Sequence, residues 1–255
     1  MKTSIILAFA ATIFFGTTTV SACCVNCNMT EDDCYISDKA YVNSTDVREV
    51  EPFSRVKLSN AITVNIVQGD EQLLVINADE SIINKVKTEV NGSLLSVYID
   101  EDWFKRNFRS KSHKVVVDIT VPELTALDVS GACNVDVKGF HNENFTMKAS
   151  GASNVVIDDF IVKEISSFEA SGASHVKIFG KGEKVIIRAS GASDVISKNF
   201  AANIADVHAS GASDVNVTAY DEIRVDCSGA SDVDYYGGPK AVDISSSGAS
   251  DVTRH

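Results

Sequence analysis

The sequence predicts an all-β, single-domain β-solenoid, a parallel β-helix with coils of about 20 residues, and three observations carry that expectation. The phrase Ser-Gly-Ala-Ser-Asp-Val returns seven times with small variations, starting at Ser130, Ser150, Ser171, Ser190, Ser210, Ser228 and Ser247. A near-constant period with one recurring motif marks a stack of repeats, none of which can bury its apolar face alone. Apolar and polar residues alternate on both sides of the phrase, as in Phe145, Met147 and Ala149 before one copy and Val155 and Ile157 after it. Period two means strand with one face buried. The position two before each phrase holds Asp128, Lys148, Glu169, Arg188, His208, Asp226 and Ser245 in turn. In an in-register stack with strands ~4.8 Å apart, that series becomes an outward ladder of alternating charge.

Each coil reads as two short strands meeting at a corner. The corner falls on the Gly-Ala pair, because Gly tolerates positive φ and close backbone approach. Gly180-Lys181-Gly182 and Gly237-Gly238-Pro239 read as loops between coils. Opposite charges on the outward ladder each contribute roughly 0.2–1 kcal/mol, at the low end when solvated. The crossover rule favours a right-handed coil.

At the N-terminus, residues 1–22 form a secretory signal of the lipoprotein type. Lys2 precedes an apolar run from Ile5 to Phe15, and small and polar residues follow. Val20-Ser21-Ala22-Cys23 has a Cys where a lipobox requires one, so Cys23 is the expected lipidation site; ordinary cleavage after Ala22 is the plainer alternative. Loss of Lys2 with the signal takes the formal charge from −12 to −13. So acidic a chain argues against nucleic acid as a partner. Residues 23–50 are polar and suit a tether from the membrane. Cys24, Cys27 and Cys34 lie in it; as half of a zinc site they lack a second ligand pair, and an oxidising compartment favours a local disulfide.

Residues 51–255 form the solenoid, with 51–129 an irregular strand-rich cap that lacks the motif and 130–255 the seven motif coils. In the cap, Ile62, Val64 and Ile66 alternate, Gln68-Gly69-Asp70 turns, and Asp79 to Ile83 suits one helical turn. Asn91-Gly92 between alternating runs is a hairpin signal. Pro122 closes the strand of Val115, Val117 and Ile119. Between Asp102 and Lys114 a loop concentrates five of the 23 basic residues beside Trp103, the single Trp of the chain. Trp103, Lys105, Arg106 and Arg109 are the candidate ligand-binding residues, since aromatic faces and guanidinium groups can stack on sugars or pair with anions. The structural alternative is a hairpin loop whose aromatics pack beneath it.

These features resemble the head (head GIN) domain family of adhesin-type exported Bacteroidetes proteins. The likeness covers about residues 50 to 255. It rests on Glu51-Pro52-Phe53-Ser54-Arg55-Val56, on Val121-Pro122-Glu123-Leu124 leading into Ser130-Gly131-Ala132, on the repeated phrase, and on Tyr236-Gly237-Gly238-Pro239. The resemblance implies a β-solenoid at the cell envelope, and the family has no catalytic residues to carry over.

Catalytic residues are not expected from the residues either. A nucleophile is normally singular, whereas the motif Ser recurs in every coil, and the five His residues fall in separate places. The fifth motif position runs Asn134, Asn154, His175, Asp194, Asp214, Asp232, Asp251. Its four carboxylates repel by ~0.9 kcal/mol per neighbouring pair even in bulk water. Either each caps its own corner by accepting backbone N–H bonds, or Asp194, Asp214, Asp232 and Asp251 hold calcium between coils. No other cofactor is implied. The expected function is that of an adhesin-like or scaffolding solenoid without catalysis, anchored as an outer-membrane lipoprotein of the cell envelope. Its partners would be the membrane, through the lipid, and glycans or another envelope protein. One alternative is a polysaccharide-active β-helix enzyme with a calcium-holding Asp ladder. The other is a glycan-binding lipoprotein that uses the 103–114 loop.

Overall fold

The computed structural model describes residues 43–107 and 114–255. The expected leader, Cys23, the cysteines Cys24, Cys27 and Cys34, and Arg109 lie outside the described residues. The remainder of the chain is all-β, a solenoid of about six turns of roughly 20 residues.

From the motif onward, stacking follows sequence order. The strands are β8 (Ala126–Val129), β9 (Asn134–Lys138), β10 (His141–Ala149), β11 (Asn154–Ala170), β12 (His175–Ala189), β13 (Asp194–Ala209), β14 (Asp214–Cys227), β15 (Asp232–Gly237), β16 (Ala241–Ser246) and β17 (Asp251–Arg254). All neighbours among them pair in parallel, and every motif position stands over its counterpart: Asn154 on Asn134, His175 on Asn154, Asp194 on His175. The expected in-register stack is therefore present.

Each coil has three strand runs, not two. In β11 they are Asn154–Asp158, Phe160–Val162 and Ile165–Ala170, separated by shifts in register with β12 and closed by the Gly-Ala corner. Gly180-Lys181-Gly182, expected as a loop, is the middle run of β12, pairing with Phe160, Ile161 and Val162. It is glycine-rich because the adjoining coils leave no room for a Cβ at either position. A Cβ on Gly182 would lie 2.9 Å from the ring of Phe200, and one on Gly180 would overlap the Phe160 carbonyl. Phe140, Phe145, Phe160, Phe168 and Phe200 are all buried, and Phe145 packs edge-on to Phe160 at 4.7 Å. Each such ring removes about 150–250 Å² from water.

The corner explains the motif residue by residue. Gly191, at φ 77°, would place a Cβ 2.7 Å from the carbonyl oxygen of Gly172 one coil away, so no side chain fits. The Ala after it donates its N–H to the Gly carbonyl of the preceding coil, as Ala192 does to Gly172 at 2.8 Å. The second Ser points inward and is buried. Its hydroxyl donates to the carbonyl of the first Ser, at 2.9 Å for Ser153 to Ser150, Ser213 to Ser210 and Ser231 to Ser228. A buried hydroxyl bonded in this way closes the corner without an orphaned polar group.

The N-terminal part comprises β1 (Asn43–Val47), β2 (Arg55–Leu58), β3 (Thr63–Gln68), β4 (Leu73–Asp79), α1 (Glu80–Ile83), β5 (Val86–Asn91), β6 (Leu94–Ile99), α2 (Glu101–Asn107) and β7 (Val115–Val121). Here stacking departs from sequence order. β2 lies between β8 and β6, and β3 between β9 and β7, all parallel. The chain thus builds an inner coil first, goes outward to make the end, and returns to the other side. Three strands then close that end in antiparallel fashion: β5 on β6, β4 on β7 and β1 on β4. Residues 43–47, read from sequence as tether, are therefore part of this end.

The inner coil contains a motif copy that the sequence reading missed. Ser59-Asn60-Ala61-Ile62-Thr63-Val64 occupies the place of Ser130-Gly131-Ala132-Cys133-Asn134-Val135, with Asn60 at φ 75° in the Gly position. Ser130 donates to Leu58, Ala132 to Asn60 and Asn134 to Ile62, the same three bonds that join later corners. Asn is among the few non-Gly residues that adopt this conformation without large cost.

Candidate functional site

Four features bear on function: the Asp ladder, the helix at the capped end, the ion ladder beside the corner, and the histidines. The Asp ladder faces outward, and Asp194, Asp214, Asp232 and Asp251 are exposed in consecutive coils. Burial, followed by the charges of Asp194, Asp232 and Asp234, holds the Asp214 carboxyl above the usual carboxylate range. Corner capping by the carboxylates is seen at Asp251 alone, whose Oδ1 accepts from Val252 N at 2.9 Å. At the head of the ladder His175 Nδ1 lies 3.3 Å from Asp194 Oδ2, where a carboxylate would have added a fourth repulsion. Among the described residues no group of three or more His, Cys, Asp or Glu side chains is arranged to hold a metal ion. Parallel stacking spaces the carboxylates in a line, whereas calcium needs six to eight oxygens around one point.

The candidate ligand-binding residues divide. Glu101–Asn107 is the helix α2, not a loop. Trp103 and Phe104 are half-buried and pack against the core, so the aromatic part of the cluster belongs to the end of the solenoid. Lys105 and Arg106 are exposed; Lys105 pairs with Glu101 at 3.0 Å, one helical turn back, and Arg106 Nε donates to the Asp102 carbonyl at 2.9 Å. The pairing with Glu101 pushes the Lys105 amine up.

The outward charge ladder carries part of the pairing its sequence order implies, at Lys148–Glu169 and at His208–Asp226. Lys148 and Glu169 pair at 2.8 Å, and that contact raises the Lys148 amine. Further along, His208 sits between Asp206 at 3.1 Å and Asp226 at 3.4 Å, and Arg224 reaches toward Asp226 and Asp243. Several of these groups line a shallow groove of about 550 Å³ beside the stacked corners. Arg224 and Asp243 were not singled out from sequence, although they occupy the outward position two before the ladder and follow the same alternation.

Among the described residues no hydrogen bond joins a motif Ser to a His. His175 and His255 each face a carboxylate, and the Ser hydroxyls are turned to backbone carbonyls. Ser150, in the first motif position, donates to the Val129 carbonyl at 3.3 Å. Lys198 shows how a coil's length shapes its neighbours. The coil of β14 is shorter than that of β13, and the Lys198 ammonium reaches past it to lie 4.0 Å over the ring of Tyr236.

Repeated ladders of Gly, Ser and Asp on a stack closed at one end define the class: a parallel β-solenoid whose outward positions form continuous lines of side chains. The chain belongs to the family described as "Putative auto-transporter adhesin, head GIN domain", whose model matches residues 52–239. No curated protein matches the sequence. Among solved structures, it is similar to a "putative adhesin" from Bacteroides fragilis at 19% identity, with 84% of this chain and 97% of that one covered and a TM-score of 0.76. It is also similar to a "putative adhesin" from Parabacteroides merdae (16% identity, 84% and 96% covered, TM-score 0.63). A "putative lipid binding protein" from Parabacteroides distasonis matches at 16% identity over 84% and 96%, with a TM-score of 0.62. At these identities the likeness is one of fold.

Proposed function

We propose that this chain is an adhesin-like or scaffolding solenoid, exported and held at the cell envelope by a lipid on Cys23, and that it works through its outward ladders and capped end without catalysis. The observation that carries the reading is repetition. The same hydroxyl, glycine and carboxylate positions recur coil after coil and are used in backbone closure or in lines of surface charge. A catalytic centre would need a singular departure from the ladders, with nucleophile, base and orienting group brought together. Family membership and the names of the similar structures support a surface role. The lipobox-like Val20-Ser21-Ala22-Cys23 supports an outer-membrane lipoprotein.

Ligand contact would use Lys105 and Arg106 at the capped end, and Arg109 close to them in sequence, for anionic groups on glycans or envelope partners. On a chain this acidic they belong to its densest cationic segment. Two measurements test the proposal. Cys23→Ser should move the protein from the membrane fraction to the soluble fraction; retention with no acyl group by mass spectrometry would refute the anchor. The native chain on an array of neutral and sulfated or uronic-acid glycans should bind a subset reproducibly, with no release of reducing ends. Hydrolysis of any polysaccharide on that array would instead establish the enzyme reading.

A further inference from the structure

A coil with a neighbour on one side only exposes on its other side what inner coils bury. Val242 and Ile244 of β16 stand in register over Ile223 and Val225 of β14 and point the same way, inward. Ile223 and Val225 are each 0% exposed, but Val242 is 45% and Ile244 41% exposed. β16 pairs with β14 alone and β17 with β15 alone, so among the described residues their outer edges carry unpaired N–H and C=O groups. The opposite end is treated differently, with β1, β4 and β5 laid antiparallel across it. Repeat stacks need polar end caps, and a long open strand edge is a template for pairing.

The open end is also stepped. On the side formed by the motif strands, β17 adds a run above β15. On the next side the chain stops one level lower, at residues 238–240, held by Gly238 N to Ala219 O and Lys240 N to Asp221 O. β16 forms the third side, between the protruding run and the recess.

We propose that this open end is a self-association surface that takes the same end of a second copy, with β16 pairing antiparallel to β16 across a two-fold axis. An axis normal to the β16 sheet reverses the strand and exchanges the other two sides. The protruding β17 of each copy is thereby set over the recess at 238–240 of its partner, so the step is self-complementary. Under this axis each copy uses its open end once, so the assembly is a closed dimer. Charge selects the register. With Ile244 opposite its own copy, Val242 faces Ser246 and Asp243 faces Ser245, inward positions meeting inward positions. Moving the axis one residue toward the start of β16 sets Asp243 against Asp243, where like charges oppose directly.

The test uses the full chain beside substituted forms, so that any association through residues 1–42 is common to all. Sedimentation of the unaltered chain should show a concentration-dependent dimer. Ile244→Lys should weaken it at least tenfold without lowering the melting temperature at dilutions where the chain is monomeric, because the side chain is half-exposed already. Opposed residues in antiparallel strands have Cα atoms about 4.5–5.5 Å apart, within reach of a disulfide. Ile244→Cys should therefore give, on mild oxidation, a peptide disulfide-linked between the two copies of position 244. Val242→Cys should not, since two copies of that position would lie about 13 Å apart. A chain that stays monomeric at all concentrations, a dimer indifferent to Ile244→Lys, or equal crosslinking by the two Cys variants would overturn the proposal. The outcome is independent of whether any glycan binds.

Discussion

Gly131 lies directly on Asn60: a Cβ at Gly131 would overlap the Asn60 carbonyl oxygen, and Ala132 N–H donates to that same oxygen. The contact joins the first recognisable motif copy to the degenerate one in the inner coil and makes the corner ladder continuous from Asn60 to Gly248.

Corner glycines should therefore be intolerant of any side chain. Gly191→Ala combines a φ of 77° with a Cβ 2.7 Å from the Gly172 carbonyl oxygen, and is expected to cost about 2–5 kcal/mol. Gly92→Ala is the control, since Gly92 shares the positive φ but has nothing within 4 Å of its Cβ. It should cost only about 1–2 kcal/mol. Chemical denaturation of both variants checks the difference, and equal costs would show that backbone conformation rather than stacking dictates the motif.

The Asp ladder gives a pH dependence whose sign is set by the upward displacement of Asp214. A carboxyl that binds its proton more tightly when folded favours the folded state less and less as pH rises from its unfolded value through its folded one. Asp214→Asn should accordingly raise the melting temperature at neutral pH, by on the order of 1–2 °C given exposure and salt screening. The gain should vanish in acid, below the ordinary Asp range. Calorimetric titration with calcium should show no tight site. Micromolar affinity abolished by Asp214→Asn would reverse the assignment of the ladder as structural.

Cys133 and Cys227 should resist thiol reagents in the folded protein and react after denaturation. Both are free and buried, and burial pushes the Cys133 thiol up, lowering its thiolate fraction. Cys227 stands in register with Ala209 and Ser246, in the inward column that runs through Val129. Cys133 stacks on a different column, five coils away, or ~24 Å. A Cys133–Cys227 crosslink in native protein would contradict the stacking order.

At the capped end, stability and binding should separate. Trp103→Ala removes a half-buried ring packed on the core and is expected to cost about 2–4 kcal/mol. Changing Lys105 and Arg106 to Ala should leave the denaturation midpoint nearly unchanged, because exposed pairs such as Lys105–Glu101 are worth little. Binding of anionic vesicles or sulfated glycans should fall with the Lys105 and Arg106 changes and not, per folded molecule, with Trp103→Ala. The reverse pattern would make Trp103 the contact.

What the amino-acid order determined by itself is the repeating part. Period, alternation and the invariant demands of a Gly corner are local properties, each readable within a single repeat, and stacking like coils forces like positions into register. The outward ladder from Asp128 to Ser245 and the buried column from Val129 to Cys227 follow from that alone. Tertiary structure decided what the repeats do not encode. Asn60 could be recognised as a corner only once β3 was seen beneath β9, because Asn substitutes for Gly through its backbone conformation and leaves no matching letter. Gly180-Lys181-Gly182 is a glycine-rich strand because the Phe160 backbone carbonyl and the Phe200 ring in the adjoining coils occupy the space a Cβ would fill. Trp103 moved from the exposed surface into the cap for a related reason: whether an aromatic beside basic residues binds a ligand or seals a core depends on the apolar area available under it, and that area comes from strands distant in sequence.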